Sequence, residues 1–270
     1  MNRAVDRYYP SKGLLLLHRS EVWVIGLPQR LVDLTQPFFN GMLYNWYIPG
    51  VPRPELTAIV EPNESDHVLG FQRIVTATHI GTHIDAQRHV YRNGMSIDQY
   101  PLDRFFGGAV CWDVSYKGRL GVITPSDLER CEPKLEGEHM VLFYTGYGKY
   151  FETDYHLYYE QPYFNLEAAD WLIGHGVSLV GIDGHTVDKP YSIRSTAFVP
   201  GVPAEKRSIS PSGPGSESVH ERLMKNNVLI IEHMGNLDKV AGRRFKLCAL
   251  PLKLRGGDGS PARCIAIIDE

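Results

Sequence analysis

Leu166-Glu-Ala-Ala-Asp-Trp-Leu-Ile-Gly-His175-Gly-Val177-Ser-Leu-Val-Gly-Ile182 is the stretch from which the fold class reads most directly. Leu166, Ala169, Leu172 and Ile173 recur at three- and four-residue spacing, which places them on one helical face, and Gly174 and Gly176 supply the end of that helix. The helix predicted over Leu166 to His175 leads straight into Val177 to Ile182, an apolar run suited to a buried strand. Outward from this pair, short β-type runs alternate with helical patterns: Val22 to Ile25, Val110 to Val114, Met140 to Tyr144, Val228 to Glu232, Phe245 to Leu250 and Cys264 to Ile268. The alternation reads as α/β. A second helix is predicted from Ser218, where Ser218-Val-His-Glu221 has the capping-box form and sets His220 in the first turn. Ser195 to Pro214, rich in Pro, Ser and Gly, reads as a long loop. No repeat or linker divides the chain, so residues 1–270 are expected to form one domain.

Composition narrows the function classes. A hydrophobic share of 43% and a charged share of 22% are those of an ordinary globular protein, so a sizeable core is expected. A formal net charge of −3 without Lys/Arg blocks lacks the footprint of a nucleic-acid or anionic-membrane binder, and leaves a small-molecule substrate. Cys111, Cys131, Cys248 and Cys264 stand far apart with no CxxC pair, which fits buried reduced thiols. Leu14 to Leu17, followed by His18, Arg19 and Glu21, is too short for a signal-peptide core or a membrane span, so the expected location is the cytoplasm.

The segment that carries chemistry is Thr76-Ala-Thr-His79-Ile-Gly-Thr-His83-Ile-Asp85-Ala-Gln-Arg-His89. Ile80, Gly81, Thr82 and Ile84 disfavour a helix, so an extended chain is expected. Alternation then turns His79, Gly81, His83 and Asp85 to one face. Along a straight strand the Cα atoms of His79 and His83 would lie about 13 Å apart, too far to share one ion with ease. The chain must therefore bend, and Gly81 is where a bend is least costly. Two imidazoles and a carboxylate suit a catalytic divalent ion with positions left open, whereas the plainer alternative is a polar sheet face whose histidines only hydrogen-bond. Glu232 follows the apolar run Val228-Leu-Ile-Ile231; it either enters a buried setting that needs a cation or reaches solvent or a base at a strand end. His220, by itself, reads as an exposed helix residue. The tyrosines between Tyr144 and Tyr163 fit either a packed excursion or subunit contact, or an aromatic wall or lid over a substrate.

His79-Ile-Gly-Thr-His83-Ile-Asp85-Ala-Gln87-Arg-His89 resembles the His-x-Gly-Thr-His-x-Asp-x-Pro-x-His signature of the cyclase family, which includes bacterial kynurenine formamidase and isatin hydrolase. Asp33-Leu-Thr35, Val180-Gly-Ile-Asp183, Val187-Asp188, Leu250-Pro-Leu-Lys-Leu254 and Gly257-Asp-Gly-Ser-Pro261 resemble further family stretches in the same order. The resemblance implies a β-rich α/β domain of the swivelling β/β/α type, with a barrel-like mixed sheet flanked by helices, assembled as a homodimer or higher homo-oligomer. It implies that His79, His83 and Asp85, together with His220 and Glu232 at the family's twelve-residue spacing, are metal ligands, and that His89 is the proton-transfer group. One or two ions are implied, with Zn2+ favoured and Mn2+ the alternative, and Trp46 lies where the family often presents an aromatic side chain to substrate. Gln87 departs from the family's proline, so the turn that presents His89 can differ.

The expected chemistry is hydrolysis of a small amide, aryl formamide, cyclic amide or lactone. An ion would acidify its water from near 16 toward about 7 and polarise the carbonyl. His89, with an ordinary imidazole pKa of about 6.5, would take and return the proton. Two other readings remain: a cyclase or dehydratase in which the ion polarises a carbonyl for ring closure, and a metal-binding homologue without turnover.

Overall fold

The computed structural model describes residues 29–44, 50–63, 65–190 and 217–269. Its strands are β1 (Gln29–Asp33), β2 (Glu55–Val60), β3 (Phe71–Val75), β4 (His83–Asp85), β5 (Phe106–Asp113), β6 (Val122–Ile123), β7 (Met140–Tyr144), β8 (Tyr163–Phe164), β9 (Leu179–Ile182), β10 (Leu229–Glu232), β11 (Arg243–Pro251) and β12 (Gly259–Asp269). The helices are α1 (Pro125–Arg130), α2 (Tyr155–Tyr158), α3 (Leu166–Gly174) and α4 (Val219–Lys225). Strands β5, β7, β9 and β10 run parallel side by side. β10 then pairs antiparallel with β4, β4 with the first residues of β12, β12 with β11, and β11 with β5. The pairing returns to its start, so seven strands close into a barrel-like ring while β1 extends along the far half of β12.

Alternation along the strands divides the apolar residues between two cores. Ala109 and Cys111 of β5, Leu142, Leu179, Leu229, Ile231, Leu247 and Cys264 fill the ring, together with Ile84 of β4. Their neighbours Val110, Trp112, Val141, Phe143, Val180 and Ile230 point outward, beneath Ala168, Ala169 and Leu172 of α3 and Val219, Leu223 and Met224 of α4. Parallel strands covered on both faces are continuous apolar runs, which is why β7, β9 and β10 stand out in the sequence. β11, covered on one face only, alternates buried Phe245, Leu247 and Ala249 with more exposed neighbours. Leu172 is fully buried, so truncation to Ala should cost about 2–5 kcal/mol.

The closed mixed sheet with helices outside is the architecture expected from the resemblance. Helix α3 starts where Asn165 accepts from the Ala168 amide, and it ends at Gly174, with His175 as its cap and Gly176 at φ +74°. The predicted runs at 110–114, 140–144, 177–182, 228–232, 245–250 and 264–268 all fall on β5, β7, β9, β10, β11 and β12, with ends that shift by a few residues. All four cysteines are free thiols, three of them buried. No described helix is long and apolar enough to cross a membrane. The run Val22 to Ile25, Trp46 and the stretch Ser195 to Pro214 lie outside the described residues.

Candidate metal centre

Strand register brings the first donors together. Glu232, the last residue of β10, lies directly opposite His83 of β4, and Ile230 lies opposite Asp85. Cross-strand partners share a face, and Asp85 follows His83 by two, so both carboxylates and the imidazole project to one side while Ile84 enters the ring. The extended reading of the whole motif needs correction. Only His83–Asp85 is strand; residues 78–82 form a turn, and Gln87–His89 is a single 3-10 turn. The bend does fall at Gly81, whose φ of +65° suits glycine, and a Cβ there would lie 3.0 Å from Met42 Cε. The reversal carries His79 back until its Nδ1 is 2.5 Å from Asp85 Oδ1.

Helix α4 supplies His220. Its capping box forms as the sequence predicts, with the Glu221 amide donating to Ser218 Oγ at 3.0 Å and the Ser218 amide donating to Glu221 Oε2 at 2.6 Å. Asp188 receives the Val219 amide at 2.6 Å, which fastens the helix start beside the ligand strands. His220 is therefore no exposed helix residue: its side chain is 12% exposed and its Nε2 lies 3.1 Å from Glu232 Oε1 and 3.6 Å from Asp85 Oδ2. His83 Nε2 lies 3.2 Å from Asp85 Oδ1 and 3.7 Å from Glu232 Oε2. Three donor sets result, His79/His83/Asp85, Asp85/His220/Glu232 and, nearer the rim, His79/His89/Asp258, each with ligand atoms within 4.8 Å of one another; Asp85 is common to the first two, which hold the buried donors.

These residues fit a divalent cation on their own geometry. His83 Nε2 and Asp85 Oδ2 are buried without a hydrogen-bond partner among the described residues. An unsatisfied buried polar atom costs about 1–3 kcal/mol, and a cation between these atoms removes that penalty. The outer ring nitrogens are settled: His83 Nδ1 donates to the Gly81 carbonyl at 2.7 Å, and His220 Nδ1 donates to Asp188 Oδ2 at 2.5 Å. Each Nε2 is thereby left to offer a lone pair inward, the usual outer-sphere arrangement of a metal-bound histidine. Imidazole and carboxylate without thiolate suit zinc or manganese alike.

The pocket's electrostatics point the same way. Burial opposes charge on His79, but Asp85 and Asp258 outweigh it and raise the imidazole to about 10. Burial is likewise overcome at His220, where Glu232 and Asp188 hold the pKa well above its ordinary value. Burial would push Asp85 up, yet His83 and His79 hold it well below the usual carboxylate range. Without an ion, protonated imidazoles supply the positive charge that these carboxylates demand, and metal binding displaces those protons.

His89 differs from the ligand candidates in access. Its side chain is 34% exposed, against 17% or less for the other five, so it can meet a substrate at the rim. Its ring lies 3.9 Å from that of His79, centroid to centroid, and desolvation together with His79's charge pushes its pKa down. Gln87, in place of the family's proline, uses groups that proline lacks. Its amide meets Tyr100 Oη at 3.3 Å, its Nε2 donates to the Met224 carbonyl of α4, and its Oε1 accepts from the Met95 amide, both at 3.1 Å. The His89 turn is thereby tied to the helix that carries His220.

The Tyr-rich segment packs inward. Tyr158 is fully buried, with its hydroxyl 2.9 Å from His233 Nδ1, and the Tyr159 ring lies 4.2 Å from that of His185. Burial drives both imidazoles below their ordinary values, His185 to about 3, so they form a neutral wall behind the ligands. Sequence reasoning gives no role to His185, His233, Asp188 or Asp258, since partners such as Asp188 and His220, 32 residues apart, leave no local periodic signal.

Comparison with known proteins bears on the family and the fold. The family model described as "Putative cyclase" matches residues 32–189. An uncharacterized protein of Methanocaldococcus jannaschii is 31% identical over 88% of this chain and 99% of its own, and a kynurenine formamidase of Bacillus cereus is 28% identical over 87% and 95%. Among solved structures, a potential metal-dependent hydrolase with cyclase activity superposes with a TM-score of 0.64 at 26% identity, covering 90% of this chain and 99% of that one. Isatin hydrolase A of Labrenzia aggregata shares the fold, with a TM-score of 0.69 at 22% identity over 90% and 94%.

Proposed function

Because the chain belongs to the cyclase family and is a hydrolase, we propose that it cleaves the C–N or C–O bond of a small amide, aryl formamide, cyclic amide or lactone at the centre of His79, His83, Asp85, His220 and Glu232. The observation that carries the reading is the pair of buried atoms, His83 Nε2 and Asp85 Oδ2, that have no hydrogen-bond partner among the described residues, where the His79/His83/Asp85 and Asp85/His220/Glu232 sets meet. A divalent ion bound there, zinc by preference and manganese otherwise, supplies Lewis acidity that acidifies water and polarises a carbonyl.

The chain's own residues do the rest. The Gly81 carbonyl and Asp188 keep the lone pairs of His83 and His220 directed inward. Ile84 and Ile231, fully buried on the opposite face of β4 and β10, anchor the ligand strands to the core of the ring. His89, at the open rim, takes a proton from the attacking water and returns it to the leaving nitrogen or oxygen. An aryl formamide heads the candidates because relatives spanning most of the chain are kynurenine formamidases.

The test is a panel of aryl formamides, cyclic amides and lactones, with metal-reconstituted and chelated protein side by side and His83→Ala as the control. Turnover that disappears on chelation and in the variant supports the proposal and identifies the substrate class. No turnover by protein shown to hold its metal refutes it in favour of ring closure.

A further inference from the structure

Two of the three imidazoles in the proposed centre have an acceptor at the outer nitrogen; His79 stands differently. Its Nδ1 faces Asp85 at 2.5 Å, and its Nε2 lies 3.1 Å from Asp258 Oδ2, in the turn that leads into β12. Nδ1 can offer a lone pair to a cation only in the tautomer that carries its proton on Nε2, and Asp258 is a carboxylate in ion-pair contact with that nitrogen.

The turn is built to hold this position. The Ala86 amide donates to the Asp258 carbonyl and the Ile97 amide to the Gly257 carbonyl, both at 2.9 Å, while Gly259 pairs with Asp85 across β12 and β4. Asp258 is thus joined through backbone to the strand that carries His83 and Asp85. At Gly259 a Cβ would come within 2.7 Å of His79 Cε1 and 2.8 Å of the Ile84 carbonyl, so only bare backbone lets the ring lie against the turn. The His89 ring covers the ring from another side, at 3.9 Å between centroids.

We propose that Asp258 is a positioning residue for the metal centre: with Gly259 it grips His79, fixes the proton on Nε2 and so sets how tightly the centre holds its ion. The carboxylate borders both rings, at 3.1 Å from His79 Nε2 and 3.8 Å from His89 Nδ1, and its closer hold is on His79. This inference rests on the metal-centre reading above.

The experiment measures Zn2+ affinity by competition with a chromophoric chelator, for the full chain and for Asp258→Ala, Asp258→Asn, Gly259→Ala and His83→Ala, with the melting temperature of each metal-free protein recorded. Asp258 is 43% exposed and also pairs with protonated His79 in the metal-free protein, so Asp258→Ala should remain folded with a somewhat lower metal-free melting temperature, recorded so that lost affinity is not mistaken for lost fold. Loss of an outer-sphere partner should weaken Zn2+ binding about 10- to 100-fold in Asp258→Ala. Asp258→Asn, whose amide oxygen still accepts the proton, should recover part of the loss, and Gly259→Ala should lose affinity through displacement of the ring. Wild-type affinity in Asp258→Ala, within twofold, overturns the inference and leaves the centre intact. Absence of Zn2+ binding by the wild type, or equal binding by His83→Ala, overturns the centre and this inference together.

Discussion

Asp188 holds two elements with two oxygens, and replacing one of those oxygens should separate its roles. Oδ1 accepts from the Val219 amide at 2.6 Å, and Oδ2 accepts from His220 Nδ1 at 2.5 Å. In Asp188→Asn one oxygen remains. The Val219 amide is fixed by the first turn of α4 and cannot turn away, so the amide oxygen stays with it and the NH2 group faces His220. A donor facing Nδ1 forces the proton onto Nε2, the nitrogen that points at Glu232 and Asp85. Metal affinity should then fall about 10- to 100-fold, or about 1.4–2.7 kcal/mol. The metal-free fold should lose the charge-assisted bond to protonated His220, worth about 1.5–3 kcal/mol, and keep the Val219 contact. Asp188→Ala removes the bonds from the Val219 amide, from the His220 ring and the longer one from the His220 amide, and should cost about 3–6 kcal/mol. At about 2–4 °C per kcal/mol for a chain near this size, the metal-free Ala variant should melt about 6–24 °C below wild type and the Asn variant about half as far below. Chelator competition and thermal melts in EDTA read both effects. Wild-type metal affinity in Asp188→Asn would refute the tautomer argument, and so would an equal loss of metal-free stability in the two variants.

His89→Ala should keep its metal and lose about 10²- to 10⁴-fold in kcat, as measured on the first substrate the panel identifies. Asp127, buried against Lys117, Thr124 and Tyr116, is held well below its ordinary pKa because these partners outweigh the opposing effect of burial. A carboxyl whose folded pKa is depressed stabilises fully above its unfolded value near 4 and loses that contribution as pH falls through the folded value. Urea unfolding should therefore show Asp127→Asn less stable by about 3 kcal/mol at pH 7 and should show the gap narrowing below about pH 4. Gln87→Ala removes the bonds to the Met224 carbonyl and the Met95 amide, and calorimetry should register about 1–3 kcal/mol of lost stability.

How far the sequence could be read depended on whether a contact was local. The parallel strands β7, β9 and β10 were legible because burial on both faces makes them continuous apolar runs, and α4 was legible because Ser218 and Glu221 sit within one turn. The closure of the ring was not legible from pattern: it depends on three residues of β12 meeting β4, a pairing that hydrophobic periodicity does not encode. In the site, the bend at Gly81 followed from reach, since along a straight strand His79 and His83 would lie too far apart to share one ion with ease. The extended reading around it failed because residues 78–82 turn back through the positive φ of Gly81, a conformation that side-chain alternation does not announce. His220 was misread in isolation because Asp188, 32 residues before it, and Glu232, on the next strand, draw it inward through contacts that helical periodicity does not show. The resemblance supplied that pairing. Asp258 was quoted within a matching stretch, yet its contact with His79 exists only once β12 is laid beside β4.

The central claim is that an ion held by His79, His83, Asp85, His220 and Glu232 drives hydrolysis. The most direct test titrates Zn2+ or Mn2+ into metal-free protein and follows, on one sample, both bound metal and the rate of aryl formamide hydrolysis. The account predicts that rate rises in proportion to occupancy and that His83→Ala loses both together. Hydrolysis at full rate by metal-free protein, or full occupancy with no turnover of any member of the panel, would contradict it.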